Sequence, residues 1–528
     1  MNKMTEILRP CLSLRRWMVI LVFCLMSVTG YADPRNICLL PLAADQPIKA
    51  MDGGVFPALR GSEGNPGWSA YMQVWQAHHQ DPANLDVRRF LGLPTSEPFA
   101  FQAKRGRTSP RWLGWQPGTF AQVETSHFSI YSTADEATTR RVAEDLERSF
   151  WAWTQLFFPL WEAAAQVTAA FSAQSPDQTT VGFLSSNRPR LTSRRQFQVV
   201  LLKNVEQYRK TLEAEGSGIE QSTGFYSDTL RTIFLYGSDD DAAETRRHEL
   251  THQLFREATR SSLGQTTPGE RTDFWLVEGI AGYMESMTVG ERVATIGGWD
   301  ASRLQYARYR VLAGGDLMPP AELMSDGHQQ AQQRSDLVRW YSHSIAHVHT
   351  LMDGGNDQAR SWLYQRLSSL YRSRSPMPLL KDRDAIESRI LRSWGQDLQR
   401  YLQLNDKQLS ENPPSDPLRV LCLNGCEVTK DGLEFIPASR EMTWLDLARL
   451  PVGNLSVKRL IPEPTMLEQL TLEVTKVDDS LGSWVRQARR LRELDMSWTV
   501  VGDEFLQSIA GFEDLSVLWM TGTRLTDE

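Results

Sequence analysis

The sequence predicts an α+β domain, in which a mixed sheet layer is joined to a helical subdomain, followed by a solenoid of short α/β repeats. Three observations predict it. Strand and helix patterns alternate between about residues 121 and 236, helical periodicity dominates from about 244 to 404, and apolar positions recur five times from residue 418 onward. The chain has 528 residues, which suits several domains rather than one. A net charge of −7 without a long basic block gives no footing for a nucleic-acid partner.

Residues 1–32 read as a secretory signal peptide. Arg9, Arg15 and Arg16 precede an apolar run from Trp17 to Val28, and Gly30-Tyr31-Ala32 supplies small residues where a signal peptidase cuts. The run is shorter than the roughly 18 residues a spanning helix needs, although uncleaved it would serve as an N-terminal membrane anchor. Export to the periplasm, the cell surface or the medium is the expectation. After cleavage Cys38, Cys422 and Cys426 remain, an odd set that cannot make a disulfide framework.

Residues 33–118, rich in Pro, Gly and Trp, read as an accessory segment or small irregular domain with one helix near Trp68 to His79. His78 and His79 are adjacent and would face different ways on that helix, which argues against a shared metal. The main domain is expected over 119–410. Val123 to Tyr131 alternates like a strand, a long helix begins at Asp135, and Phe197 to Leu202 makes a second strand followed by a helix near Val205. A third strand, Thr232 to Tyr236, is expected at the sheet edge, where an extended peptide could pair with it.

Residues 411–417, with three prolines, read as a linker. Beyond them, segments starting at Leu418, Met442, Leu467, Leu491 and Leu515 place apolar residues at offsets 0, 3, 5 and 10, with successive starts 24, 25, 24 and 24 residues apart. Over 418–528 this pattern resembles leucine-rich repeats, in which stacked units share one core and present a face to a protein partner. Cys426 falls where such repeats commonly take Asn or Cys for structural reasons. The fifth unit has no evident polar cap, so an exposed apolar edge is expected there.

The chemistry lies in Arg246-Arg247-His248-Glu249-Leu250-Thr251-His252. On a helix, His248 and His252 stand one turn apart on one face and can reach a single cation, while Glu249 projects beside them as a base for a water. A second helix, Phe274 to Glu285, offers Glu278 as the third ligand. Glu285, seven residues on, returns to nearly the same face and could orient a ligand imidazole through its other nitrogen. His343 and His347 are also four apart, but no third ligand accompanies them and they read as ordinary helix histidines.

The motif H-E-x-x-H, followed at moderate distance by W-L-x-E-G-x-A-x-Y-x-E, resembles the gluzincin metallopeptidases, closest to their peptidase-MA-like and aminopeptidase-like members. The resemblance covers about Val123 to Asp353. It implies a zincin-like fold and one Zn2+ held by His248, His252 and Glu278. It also implies Glu249 as catalytic base, Tyr341 steadying the oxyanion with His343 as the alternative, and a peptide or protein substrate. The thermolysin-like branch carries an Asp four residues after its third ligand, where this chain has Gly282, so Glu285 is favoured for the supporting role. The competing expectation is a non-catalytic zinc-containing scaffold, or a cell-surface binding protein acting through its repeats. An intact Glu249 argues against it, because a structural zinc site needs no base.

Overall fold

The computed structural model describes residues 35–46, 65–191, 196–213, 223–237, 242–374, 380–414 and 416–526. The expected signal peptide lies outside the described residues, and among these no helix is long and apolar enough to cross a membrane.

The first strand, β1 (Asn36–Leu39), stands apart from the main sheet. That sheet uses β2 (Gln102–Arg105), β3 (Ala121–Glu124), β4 (Phe128–Ser132), β5 (Phe197–Leu202), β6 (Gly224–Ser227) and β7 (Thr232–Tyr236), in the order β2-β3-β4-β5-β7-β6. The central strands β4, β5 and β7 are parallel, and the outer pairings are antiparallel. The stretch expected as one strand from Val123 to Tyr131 is a hairpin. Thr125 N donates to Phe128 O at 2.9 Å to close the turn, and buried Glu147 takes the His127 N–H at 2.8 Å and faces its Nδ1 at 2.7 Å. Alternation alone could not show that break, because the residues on both sides of it keep the strand period.

The helix Glu136–Leu156 packs beneath this sheet. Its N-cap, Asp135, accepts the Thr138 N–H at 2.8 Å, and it ends just before Pro159, whose ring cannot continue a helix. Its buried Asp145 receives Arg246 at 3.0 Å and Arg247 at 2.9 Å, which fixes the start of the helix that carries His248.

β1 pairs with β9 (Val293–Ile296), which also pairs with the short β8 (Thr288–Val289). The helix Pro66–Gln80 buries Tyr71, Val74 and Trp75 in the same core as Trp151 and Trp275. His78 Nε2 accepts the Leu42 N–H at 2.9 Å and His79 Nε2 lies 2.9 Å from Leu40 O, so both histidines anchor the chain that leaves β1.

Five short strands, β10 (Val420–Cys422), β11 (Trp444–Asp446), β12 (Gln469–Thr471), β13 (Glu493–Asp495) and β14 (Val517–Trp519), pair in parallel in chain order. Leu421, Leu445, Leu470, Leu494 and Leu518 stand in one register row. The first four are buried, and Leu518 in the outermost strand is 42% exposed. After each strand one residue takes a left-handed backbone: Gly425, Arg449, Val474, Trp498 and Gly522. At the other edge, β10 is sealed by the helical subdomain. Gln305 Oε1 accepts the Cys422 N–H at 3.1 Å, and buried Arg308 donates to the carbonyls of Cys422, Leu402 and Trp299. Polar groups that an open edge would present to another chain are thereby satisfied internally.

Asp446 in β11 is buried, and burial pushes its carboxyl up to about 6 from the ordinary 3.8, despite hydrogen bonds from Ala448 N and Asn424. The folded chain therefore keeps a proton that the unfolded chain releases between these values, so stability from this group falls as pH rises from about 4 to about 6. Asp446→Asn, which retains an acceptor for the Ala448 N–H, is expected to melt higher than the parent above pH 6 and equally at pH 4. Thermal denaturation across that range checks it.

Candidate metal centre

The motif helix, Ala242–Glu257, follows β7 and runs against the edge strand β6. Gly224 in β6 permits this approach, since a Cβ there would lie 2.8 Å from Thr245 Cγ2 and 3.1 Å from Glu249 Cγ. The second helix, Phe274–Glu285, is apolar and buried along its length, which leaves Glu278 and Glu285 as its buried carboxylates. Gly279 and Gly282 let it settle on a third helix, Leu337–Asp353. A Cβ on Gly279 would meet Ser344 O at 2.7 Å, and one on Gly282 would meet Ile345 Cγ1 at 2.4 Å. Gly282 thus fills a packing contact where the thermolysin-like branch has its supporting Asp.

These helices bring together the three side chains expected as ligands. Candidate donor atoms of His248, His252 and Glu278 lie within 4.8 Å of one another, a group that could hold a metal ion. His248 Nε2 is 3.4 Å from Glu278 Oε2, and His252 Nε2 is 3.9 Å from Glu278 Oε1. Tetrahedral zinc with bonds of about 2.0–2.1 Å sets its ligand atoms roughly 3.3 Å apart; the two His–Glu separations are near that spacing, while the group as a whole spans up to 4.8 Å. The His248 Nδ1 is turned to Glu285 Oε1 at 2.8 Å, which leaves Nε2 to face the centre. Arg303 Nε donates to the other oxygen of Glu285 at 2.7 Å, a member of the chain that sequence spacing did not single out.

Electrostatics follow the same geometry. Burial opposes charge on Glu278, but the His248 hydrogen bond and the nearby His252 hold its carboxyl down to about 2. Burial also opposes charge on the His248 ring, yet Glu278 and Glu285 outweigh it and raise its pKa well above the ordinary value. His252 is drawn down to about 4, chiefly by burial. Glu249 sits beside the group, and burial pushes it up to about 7, with the Glu278 charge adding to the rise and His248 opposing it. One of its oxygens, Oε2, accepts the backbone N–H of Tyr226 in β6 at 2.8 Å.

The third helix separates the two candidates for the oxyanion. The Tyr341 hydroxyl reaches the Glu278 carboxylate and accepts from Gln332 Nε2 at 3.3 Å, and its pKa is raised by burial and by the Glu278 charge, so it remains a neutral donor. His343 is turned away. Its Nδ1 faces Arg339 O at 2.9 Å and its Nε2 faces Asp316 O at 3.1 Å. His347 stacks on Trp394 and lies with His343 in no group of three metal-binding side chains among the described residues.

One expectation about this site is corrected. The strand Thr232 to Tyr236 lies inside the sheet between β5 and β6, and the edge is β6. Four residues, Gly224–Ser227, gave too short a pattern to be seen in advance.

No known family model and no curated protein matches the chain. Among solved structures, an internalin from Listeria monocytogenes, a leucine-rich-repeat protein, is a weak neighbour. It is 22% identical, the match covers 21% of this chain and 30% of that one, and the TM-score is 0.17. The match thus spans less than a third of the internalin chain.

Adding a methyl where the second helix comes closest to the backbone of the third tests how the carboxylate is held. Gly279→Ala must push the second helix off Ser344 O, and is expected to lower stability by about 1–3 kcal/mol, as overpacking commonly does. Urea or thermal denaturation beside Gly290→Ala, at a position with more room, measures it.

Proposed function

We propose that the chain is an exported zinc-dependent peptidase whose C-terminal leucine-rich-repeat solenoid recognises a protein substrate or partner. The observation that carries this is the convergence of His248, His252 and Glu278 with Glu249 at their side. Two imidazoles and one carboxylate suit Zn2+, whose catalytic sites take three protein ligands and leave a position for water. When bound, zinc would supply a Lewis acid that polarises a carbonyl and makes water acidic enough to be deprotonated near neutral pH.

The chain's own residues would do the rest. Glu249, held by the Tyr226 N–H, takes a proton from the attacking water and delivers it to the leaving amine nitrogen. The Tyr341 hydroxyl donates to the oxygen that becomes negative as the carbonyl carbon is attacked. Glu285, fixed by Arg303, holds the His248 ring in orientation.

The recognition role of the repeats is supported by an exposed column. Val474 is 46% exposed and Trp498 61%, at neighbouring left-handed positions beside exposed Arg449. A β-branched residue and a tryptophan are costly in that conformation, and such strain is commonly kept where side chains serve binding. The first repeats are less available, because Tyr306 and Tyr309 of the helical subdomain lie against Trp444.

Glu249→Gln is expected to retain zinc while cleavage of a mixed peptide pool falls by about 10²–10⁴-fold. Unchanged cleavage would remove Glu249 from the mechanism, and a zinc-loaded wild type without cleavage would favour the scaffold alternative. Glu285→Gln is expected to weaken zinc binding by about 10–100-fold, as read by competition with a chromogenic chelator.

A further inference from the structure

At the sheet edge opposite β6, the ribbon of β2 and β3 continues beyond both strands. Gly106 N donates to Phe120 O at 2.9 Å and Gly118 N donates to Gly106 O at 2.7 Å, so residues 107–117 form a loop at its tip. The loop is tied down from within. Leu113 N donates to Pro110 O at 2.9 Å, the Trp115 ring lies 5.5 Å from that of Phe120, and the Trp112 ring lies 5.6 Å from that of Phe234.

The charge of this ribbon is one-sided. In a chain of net charge −7, no acidic residue falls between Glu97 and Glu124, whereas Lys104, Arg105, Arg107 and Arg111 do. All four are exposed, and among the described residues none of them is in an ion pair. Lys104, Arg105 and Arg107 border one shallow concavity of about 600 Å³, with no acidic side chain on its walls. Near them Trp112 is 41% exposed. Cations on an edge strand deter pairing with another chain, which accounts for Lys104 and Arg105 in β2. It does not account for Arg107, Arg111 and an exposed tryptophan beyond the strand.

We propose that this ribbon docks the protein on an anionic phospholipid surface. The four cations meet lipid phosphates, and the Trp112 indole enters the interfacial layer, where its apolar ring and its polar N–H are both accommodated. Charge complementarity selects an anionic partner. The single tryptophan selects a bilayer over a nucleic-acid strand, because such strands are held on successive exposed rings and Trp112 is the only exposed ring on the ribbon among the described residues. Docking at β2 leaves the metal centre, beside β6, at the far edge of the sheet. The proposal is therefore independent of the hydrolysis.

Flotation with vesicles tests it, using the purified chain from Asp33 onward, the form expected after export and one that contains every described residue. Vesicles of phosphatidylcholine and phosphatidylglycerol in equal parts are expected to bind at least about tenfold more tightly than phosphatidylcholine alone. Lys104→Gln with Arg107→Gln should weaken binding to the anionic vesicles roughly 25-fold, about fivefold for each lost charge. Arg400→Gln with Lys407→Gln, the same change of charge at exposed positions elsewhere, should leave it unaltered. With brominated acyl chains in the vesicles, quenching of tryptophan fluorescence should fall in Trp112→Phe, which keeps a ring against Phe234. The proposal is overturned if both kinds of vesicle bind alike, if the preference survives the first pair of substitutions or is lost with the second, if Trp112→Phe is quenched as the parent is, or if a single-stranded oligonucleotide binds where anionic vesicles do not.

Discussion

The hydrogen bond between Glu285 and the His248 Nδ1 is the interaction on which the candidate centre depends. It joins the motif helix to the second helix at the point where their side chains must share one centre. With Nδ1 engaged, the ring presents Nε2 to Glu278; His248 and, to a lesser extent, Arg303 keep Glu285 charged, and Arg303 helps hold it in place. Packing serves the same end. Two glycines on the second helix let it lie close to the third, and that approach sets Glu278 between the histidines and the Tyr341 hydroxyl.

Much of this site could be read before the structure, because helix geometry ties spacing to direction. Residues four apart share a face, so His248 and His252 had to point together, and residues seven apart nearly do, which put Glu285 near Glu278. What could not be read depends on partners distant in sequence. The Tyr226 N–H that holds Glu249, the Arg303 behind Glu285 and the carbonyls that occupy His343 come from segments whose approach no local pattern encodes. That the Tyr341 hydroxyl turns toward Glu278 while His343 turns to the carbonyls of Arg339 and Asp316 likewise follows from the rotation of the third helix, which no spacing encodes.

Part of the strand pattern was legible for the same reason. The fivefold apolar recurrence gave the register row from Leu421 to Leu518, because buried positions repeat with the strands. The left-handed position after each strand was hidden, since only two of its five residues are glycine. The pairing of β1 with strands about 250 residues later, and the burial of Tyr71 and Trp75 in the main core, likewise depend on contacts that no local pattern encodes.

The central claim is that two imidazoles and one carboxylate hold a zinc ion with room for water. X-ray absorption at the zinc edge, on protein purified without added chelator, addresses it most directly. The account predicts one zinc per chain with two nitrogen neighbours and oxygen neighbours, all at about 2.0–2.2 Å, and no sulfur. A protein that takes up no zinc, or a spectrum with sulfur at about 2.3 Å, would contradict it.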